Sequence, residues 1–173
     1  FLAEDIEQLL STAASTFDLC IVEVSAYWDN AATVCAMQQA ADIIIVTTPE
    51  LTHFQEDFVR WVKGFAPVIG VGTERMQLMI TQYDATRDGY RMNEIAKETG
   101  LPLIGSFPVI PELLPVLNEG KLHVFLQNHR EASSYLSTLA KQWISTYSLA
   151  LKPAKASQHS NWMRKVLSTF NLI

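Results

Sequence analysis

An acidic side chain follows a strongly apolar run near the start of the chain. Glu23 comes directly after Leu19-Cys20-Ile21-Val22, within the longer stretch of residues 17–26. Such a run is typical of a buried parallel strand, and open α/β sheets bind ligands beyond the carboxyl ends of their strands. Glu23 is therefore a candidate for contacting a ligand at this end of the sheet. The structural alternative is an acid that caps the next helix or accepts hydrogen bonds from loop amides.

Three more strand-like runs follow, and they define the expected architecture. They cover residues 42–48, 76–81 and 101–108, each separated from the next by a helix-like segment. This alternation predicts an α/β domain whose mostly parallel sheet is flanked by helices. We expect this domain to span residues 1–150. Residues 151–173 are expected to form a linker and an amphipathic C-terminal helix, which carries Trp162 and Phe170 on its apolar face.

Apolar spacing and terminal residues predict the main helices. Helical periodicity covers residues 1–14, 31–41, 51–65, 90–99 and 130–147. Thr48 and Pro49 are suited to the N-cap and first position of the third helix, and Gly100 to a left-handed stop after the fourth.

Composition excludes several classes of protein. The 173 residues are 49% hydrophobic and 18% charged, which is typical of a globular domain. A net charge of −5 argues against a nucleic-acid surface. Cys20 and Cys35 match neither a zinc site nor a disulfide framework. This cysteine usage favours a reducing cytoplasm. No apolar stretch is long enough to span a membrane, and a peripheral contact at the inner membrane or the cell pole is left open.

Other kinds of site have weaker support. The sequence contains neither the GxxxxGK[ST] loop nor the GxGxxG turn that cradles phosphate. Ser25 lacks the flanking glycines of a nucleophile elbow, and the four histidines match no metal spacing, so we expect no metal site. Asp84 is interpreted first as a turn residue.

Four motifs together resemble one known family. They are Phe17-Asp18-Leu19-Cys20-Ile21-Val22-Glu23 ("FDxVIVD"), Ala40-Ala41-Asp42 through Val46-Thr47-Thr48-Pro49-Glu50 ("AADxxxxVTTPD"), Leu78-Met79-Ile80-Thr81-Gln82-Tyr83-Asp84 ("LVLNRYD") and Gly100-Leu101-Pro102 through Phe107-Pro108 ("GLPVxGxIP"). In order and spacing they are similar to the ParA/MinD-type deviant Walker ATPases, most closely the CpaE/TadZ branch that positions pilus machinery. The resemblance covers about residues 5 to 145. It implies a P-loop NTPase-like fold, a homodimer, and ATP with magnesium as the ligand.

Departures from these motifs fall on positions that face the nucleotide in the family. Glu23 replaces the family's aspartate, a carboxylate that acts on magnesium and its water, so the resemblance makes Glu23 the candidate catalytic or metal-holding residue. Thr81 replaces the asparagine that reads adenine. Ile110 stands where an acidic residue is usual, two residues after Pro108. The resemblance therefore makes Thr81, Gln82, Pro108 and Ile110 the expected nucleotide-facing positions, and ATP a doubtful ligand. We expect a fragment of a longer chain whose ATP site is degenerate and whose ATPase activity is weak or absent.

The loop after the first apolar run carries two large aromatic residues, Tyr27 and Trp28. In the family, the corresponding loop faces the dimer partner, so these residues, with Trp162 and Phe170 of the tail, are the expected interface. The favoured function is a positioning or scaffold protein for a pilus or secretion apparatus that contacts a protein of that apparatus. The alternatives are an active ATP-dependent switch and an unrelated small-molecule α/β enzyme.

Overall fold

The computed structural model describes residues 2–25, 30–53, 55, 58–87 and 89–148. The chain divides into two compact units, residues 1–109 and 110–173. Each unit is described separately below. The expected boundary near residue 150 lies outside the described residues and stays a prediction.

The first unit is built on a parallel sheet. Its described strands are β1 (Ile43–Thr47), β2 (Met76–Tyr83) and β3 (Leu103–Pro108), in the order β1-β2-β3. Both pairings are parallel, with Leu78 of β2 opposite Ile45 on one side and Leu103 on the other. The predicted α/β class with a parallel sheet is confirmed, and the three apolar runs from residue 42 onward account for its strands.

Helices connect and cover these strands. The first unit contains α1 (Ala3–Thr16), α2 (Ala31–Gln39), the π-helix Val59–Phe65 and α3 (Met92–Thr99). The Asn30 side chain caps α2 by accepting a hydrogen bond from the Thr33 amide at 2.8 Å. Gly100 ends α3 with a φ of 72°, which confirms the predicted left-handed stop.

The core lies where the central strand meets these helices. On β2 the burial alternates, and Met76, Leu78 and Ile80 are at most 1% exposed, as expected for one face of a strand against a core. The rest of the cluster is supplied by α2, the region of the π-helix, and α3, with its flanking segments: Met37, Phe58, Val62, Ala66, Val71, Ile95 and Leu101. β2 is therefore the buried centre of the first unit.

The first apolar run departs from the prediction. Residues 17–25 are not part of the sheet, and the hydrophobic side chains from Phe17 to Val24 are exposed, including Ile21 at 75%. A strand is stabilised by ladder hydrogen bonds and by burial of its faces. Beyond the Phe17 amide, which bonds to Ala13 of α1, no backbone hydrogen bond joins residues 18–24 to another described residue. The expected buried strand is therefore an exposed segment that pairs with no described strand.

The second unit is helical in its described part. It contains α4 (Leu113–Asn118), α5 (Leu122–Asn128) and α6 (Arg130–Thr146). The sequence predicted α6 but did not predict α5. Gly120, between α4 and α5, has a φ of 67°. His129 Nδ1 accepts a hydrogen bond from the Ala132 amide at 3.1 Å, so a histidine caps α6. Among the described residues, no helix is both long enough and apolar enough to cross a membrane.

Candidate functional site

The carboxyl ends of the three strands form the candidate site. Thr47 ends β1, Thr81 and Gln82 lie at the end of β2, and Pro108 ends β3 opposite Tyr83. Because the strands are parallel, these ends lie at the same edge of the sheet. Three of the predicted nucleotide-facing residues, Thr81, Gln82 and Pro108, are thus brought to one edge. Their role in binding remains a prediction.

Thr81 is fastened to the neighbouring strand through its side chain. Its Oγ1 donates a hydrogen bond to the Thr47 carbonyl oxygen at 3.2 Å, and the residue is half-buried. A threonine hydroxyl carries a single proton. Since this proton is used within the sheet, Thr81 offers a ligand only acceptor lone pairs, whereas a side-chain amide offers both a donor and an acceptor.

Gln82 interrupts the regular backbone of β2. Its φ is +57°, in the left-handed region that non-glycine residues seldom adopt. The register between β2 and β3 shifts here, so that Thr81 and Gln82 together oppose the single residue Phe107. A β-bulge of this kind re-aims a side chain at a strand end. The Gln82 side chain is exposed and makes no hydrogen bond to a described residue.

The end of β1 carries a polar group that the sequence did not predict. The Thr48 hydroxyl lies 2.8 Å from His53 Nδ1, and Glu50 Oε2 lies 3.5 Å from the same nitrogen. The Thr48 hydroxyl thus contacts the His53 ring. The sequence had instead predicted Thr48 as the N-cap of the following helix. A nucleophile relay needs the hydroxyl and the carboxylate on opposite ring nitrogens. Here both partners contact Nδ1, so the three side chains connect neighbouring positions of the loop after β1. They are not arranged for nucleophilic catalysis.

Asp84 behaves as the turn residue that the sequence favoured. Its Oδ1 accepts hydrogen bonds from the Thr86 amide at 2.9 Å and from the Thr86 hydroxyl at 2.7 Å. Arg87 Nε lies 3.4 Å from Oδ2. The two Thr86 hydrogen bonds, with a smaller contribution from the Arg87 charge, lower the pKa of Asp84 below its ordinary value.

Glu23 does not join this edge as part of a strand. It lies in the unpaired extended segment, its side chain is exposed, and it makes no hydrogen bond or ion pair with a described residue. The position expected for a magnesium-holding carboxylate is therefore on a segment with no backbone pairing to the sheet. Its catalytic role remains a prediction.

The remaining predicted residues lie elsewhere. Ile110 begins the second unit and is half-buried there. The interface candidates Tyr27, Trp28, Trp162 and Phe170 lie outside the described residues. Within the ranges that the structure describes, no group of three or more His, Cys, Asp or Glu side chains is arranged to hold a metal ion.

The resemblance implied ATP and magnesium, and two of the positions that it assigned to them can be compared with the structure. At Thr81, the expected adenine-reading position, the hydroxyl proton is donated to the Thr47 carbonyl oxygen. At the carboxylate position, Glu23 stands on a segment without backbone pairing to β1, β2 or β3. Metal and water positioning tolerates little displacement, so a carboxylate on an unpaired segment is poorly placed for it.

Comparison with known proteins indicates the fold. A crystal structure of a ParA family ATPase from Chlorobium tepidum TLS is similar, with a TM-score of 0.62 and 19% sequence identity. The match covers 81% of this chain and 57% of that one. The protein therefore has a ParA-like fold, and the chain spans little more than half the length of the ATPase it matches. No protein-family model matches the sequence, and no curated protein matches it either.

Proposed function

We propose that this chain is a ParA/MinD-like positioning or scaffold protein for a pilus or secretion apparatus, with a degenerate nucleotide site. The observation that supports the degenerate site most directly is the hydrogen bond from Thr81 Oγ1 to the Thr47 carbonyl oxygen at 3.2 Å. In this hydrogen bond the Thr81 side chain joins β2 to β1. The resemblance places the same side chain at the family's base-reading position. The exposed position of Glu23 supports the same proposal.

The proposed role depends on the fold and not on nucleotide chemistry. A parallel sheet with buried β2 gives a rigid body on which a partner can dock, and this requires no ligand at the sheet edge. We infer a homodimer that contacts a protein of the apparatus, in the cytoplasm near the inner membrane or the cell pole. The motifs of residues 17–23, 40–50, 78–84 and 100–108 favour the CpaE/TadZ branch.

The experiment that tests the degenerate site is thermal unfolding of this chain with increasing ATP and magnesium. A ligand that binds only the folded state adds about 2.7 kcal/mol at a hundredfold excess over its dissociation constant. We expect no rise in Tm. A saturating, magnesium-dependent rise would overturn the degenerate site.

A matched pair of variants sharpens this test. Thr81→Asn introduces the amide of the family motif, and Thr81→Ser keeps the hydroxyl that bonds to Thr47. We expect neither variant to gain an ATP-dependent shift, because Glu23 remains on the unpaired segment. A shift in Thr81→Asn alone would place the defect at the base-reading position only.

The positioning role has a separate test in cells. A fluorescent fusion of the chain in its native host should concentrate in foci where the apparatus assembles. Uniform fluorescence, with the fusion shown to be intact and folded, would contradict the role.

An ATP-dependent switch is the second candidate. It is favoured by the fold similarity to the Chlorobium tepidum ATPase over 81% of this chain. It requires Glu23 to act in place of aspartate. Phosphate release that is stimulated by magnesium and lost in Glu23→Gln would establish it in place of the scaffold.

A further inference from the structure

A polar groove runs along one face of α6 in the second unit. It has a volume of about 510 Å³. Its described lining comes from the end of α5 and the polar face of α6: Leu126, Gln127, Arg130, Ser133, Ser134, Ser137, Thr138 and Lys141. The opposite face of α6 carries the buried Ala132 and the half-buried Leu136, Leu139 and Trp143. The groove is thus on the side of α6 that is turned away from its own apolar packing.

The described charges in this groove have one sign. Arg130 and Lys141 are the only charged residues among its described lining, and both are exposed. Neither makes an ion pair with a described residue; the described ion pairs involve Glu50, Asp84 and Glu119. The chain as a whole has a net charge of −5, so the positive charge of these lining residues is opposite in sign to that of the chain. Such a lining is complementary to an acidic partner.

Arg130 occupies an unfavourable place on α6 for a cation with no ion-pair partner among the described residues. It is the first residue of the helix, where the partial positive charge of the helix end repels a cation. A carboxylate bound beside Arg130 would be attracted by both the guanidinium and the helix end. This end of α6 therefore favours an acidic ligand beside Arg130.

The spacing of the two cations sets the size of the ligand. At about 1.5 Å of rise per residue, Arg130 and Lys141 are roughly 16 Å apart along the helix axis. One phosphate or carboxylate cannot contact both. In an extended peptide, two acidic residues about five positions apart span the same distance, at roughly 3.3 Å per residue. Serine and threonine hydroxyls line the face between them and suit the backbone of such a peptide.

We propose that this groove binds an extended acidic segment of a partner protein, with acidic residues about five positions apart contacting Arg130 and Lys141. The tail of the chain is a poor occupant, because residues 149–173 carry Lys152, Lys155, Arg164 and Lys165 and no acid. The proposal deepens the scaffold role, on which it rests for the ligand being a protein segment. It does not depend on the state of the nucleotide site.

The test uses fluorescein-labelled peptides and fluorescence anisotropy with the chain at low ionic strength. The probe peptide is Glu-Ser-Ser-Ser-Ser-Glu, flanked by glycines. One control keeps the same charge with wrong spacing, Glu-Glu-Ser-Ser-Ser-Ser, and a second replaces both glutamates by glutamine. We expect the first peptide to bind more tightly than either control, with affinity that falls as salt is added.

Charge reversal locates the binding site. Lys141→Glu should weaken binding about fivefold and Arg130→Glu with Lys141→Glu at least about tenfold, as expected for loss of exposed ion pairs and gain of repulsion. Lys97→Glu, an exposed lysine on α3 of the first unit, is the matched control and should bind as the original chain does. Ser137→Glu, which places an acid midway along the groove, is a second variant and should also weaken binding. Far-UV circular dichroism checks that each variant is folded.

Three results would overturn the proposal. The first is equal binding of the correctly and wrongly spaced peptides, and the second is equal loss in Lys97→Glu and Lys141→Glu. The third is tighter binding of a single-stranded oligonucleotide of similar charge, which would make the groove a nucleic-acid surface. A result that shows ATP-dependent stabilisation together with peptide binding would refute the degenerate site and leave the groove proposal standing.

Discussion

Strand β1 and the extended segment of residues 17–25 have similar sequences and different structures. Both are runs of branched apolar residues that end near a polar side chain, Thr47 in one and Glu23 in the other. All five residues of β1 pair with β2, from Ile43 opposite Met76 to Thr47 opposite Ile80. Residues 17–25 pair with no described strand, and Ile21 is 75% exposed.

The difference shows what an apolar run specifies. Branched apolar residues favour extended backbone and make a segment suited to a buried strand. Pairing also needs a neighbour with free backbone groups at the right register. β1 has β2 as such a neighbour. Val46 on β1 is nevertheless 58% exposed, so β1 is itself incompletely covered at the edge of the described sheet.

Amide hydrogen exchange should show the largest contrast between the two regions. Amides in β2 exchange only when the unit unfolds, so we expect protection of about a thousandfold or more, as for a domain of ordinary stability. Amides of residues 19–24 should exchange at nearly the rate of an unstructured peptide. Mass spectrometry of peptides from residues 17–25 and 76–83 measures both. Comparable protection in the two peptides would show that the segment pairs with another strand in solution.

Truncation of one apolar side chain in each region should separate them by several kcal/mol. Leu78 is 0% exposed in the core cluster, so Leu78→Ala should lower the free energy of unfolding by about 2–5 kcal/mol. Ile21→Ala, in the exposed segment, should change it by no more than about 0.5 kcal/mol. Urea denaturation followed by tryptophan fluorescence gives both values. A large loss in Ile21→Ala would mean that the segment is buried in the protein in solution.

Much of the fold was predictable because its signals are local. The apolar runs around Ile45, Leu78 and Ile104 predicted three strands, and Gly100 predicted the end of α3. Pairing is not local, so the apolar run within residues 17–26 was predicted to be a buried strand from its own pattern. Helix α5 was missed because it is short and follows α4 after only a brief turn at Gly120.

The candidate site was predictable only as a set of positions. The motif around Thr81 indicated the residues at the sheet edge, and the structure brings Thr81, Gln82 and Pro108 there. The bond from Thr81 to the Thr47 carbonyl oxygen depends on the register of β1 against β2. The left-handed backbone of Gln82 depends on the bulge against β3. Neither can be read from a pattern within one strand, and the Thr48–His53 contact was likewise missed.

The bulge provides a comparison within β2 itself. Gln77 lies in regular strand opposite Ile44, while Gln82 has a φ of +57°. Gln77→Gly should cost about 1 kcal/mol, because glycine weakens a strand interior and the bond from Gln77 Nε2 to Asp42 is lost. Gln82→Gly removes left-handed strain of a similar size, so the free energy of unfolding should stay the same or rise by up to about 1 kcal/mol. Urea denaturation compares them. Equal losses in both variants would contradict a strained Gln82.

Two carboxylates, Glu23 within residues 17–25 and Asp84 directly after β2, extend the comparison to a smaller effect. Glu23 has no described partner, whereas Asp84 accepts two hydrogen bonds from Thr86. These bonds, with Arg87, lower the pKa of Asp84 from its ordinary value of 3.8. Because the folded-state pKa is the lower one, the stabilisation is complete above the unfolded-state pKa and is lost as the pH falls through the folded-state pKa.

Thr86→Val removes the hydroxyl donor and leaves the backbone amide in place. The pKa of Asp84 should therefore rise part of the way towards its ordinary value, while Thr86→Ser, which keeps a hydroxyl, should leave it low. An NMR titration of the Asp84 side-chain carboxyl carbon measures the pKa in each protein. An unchanged pKa in Thr86→Val would assign the shift to the Thr86 amide and Arg87. The loop after β2 would then be held by its backbone and by Arg87, without the Thr86 hydroxyl.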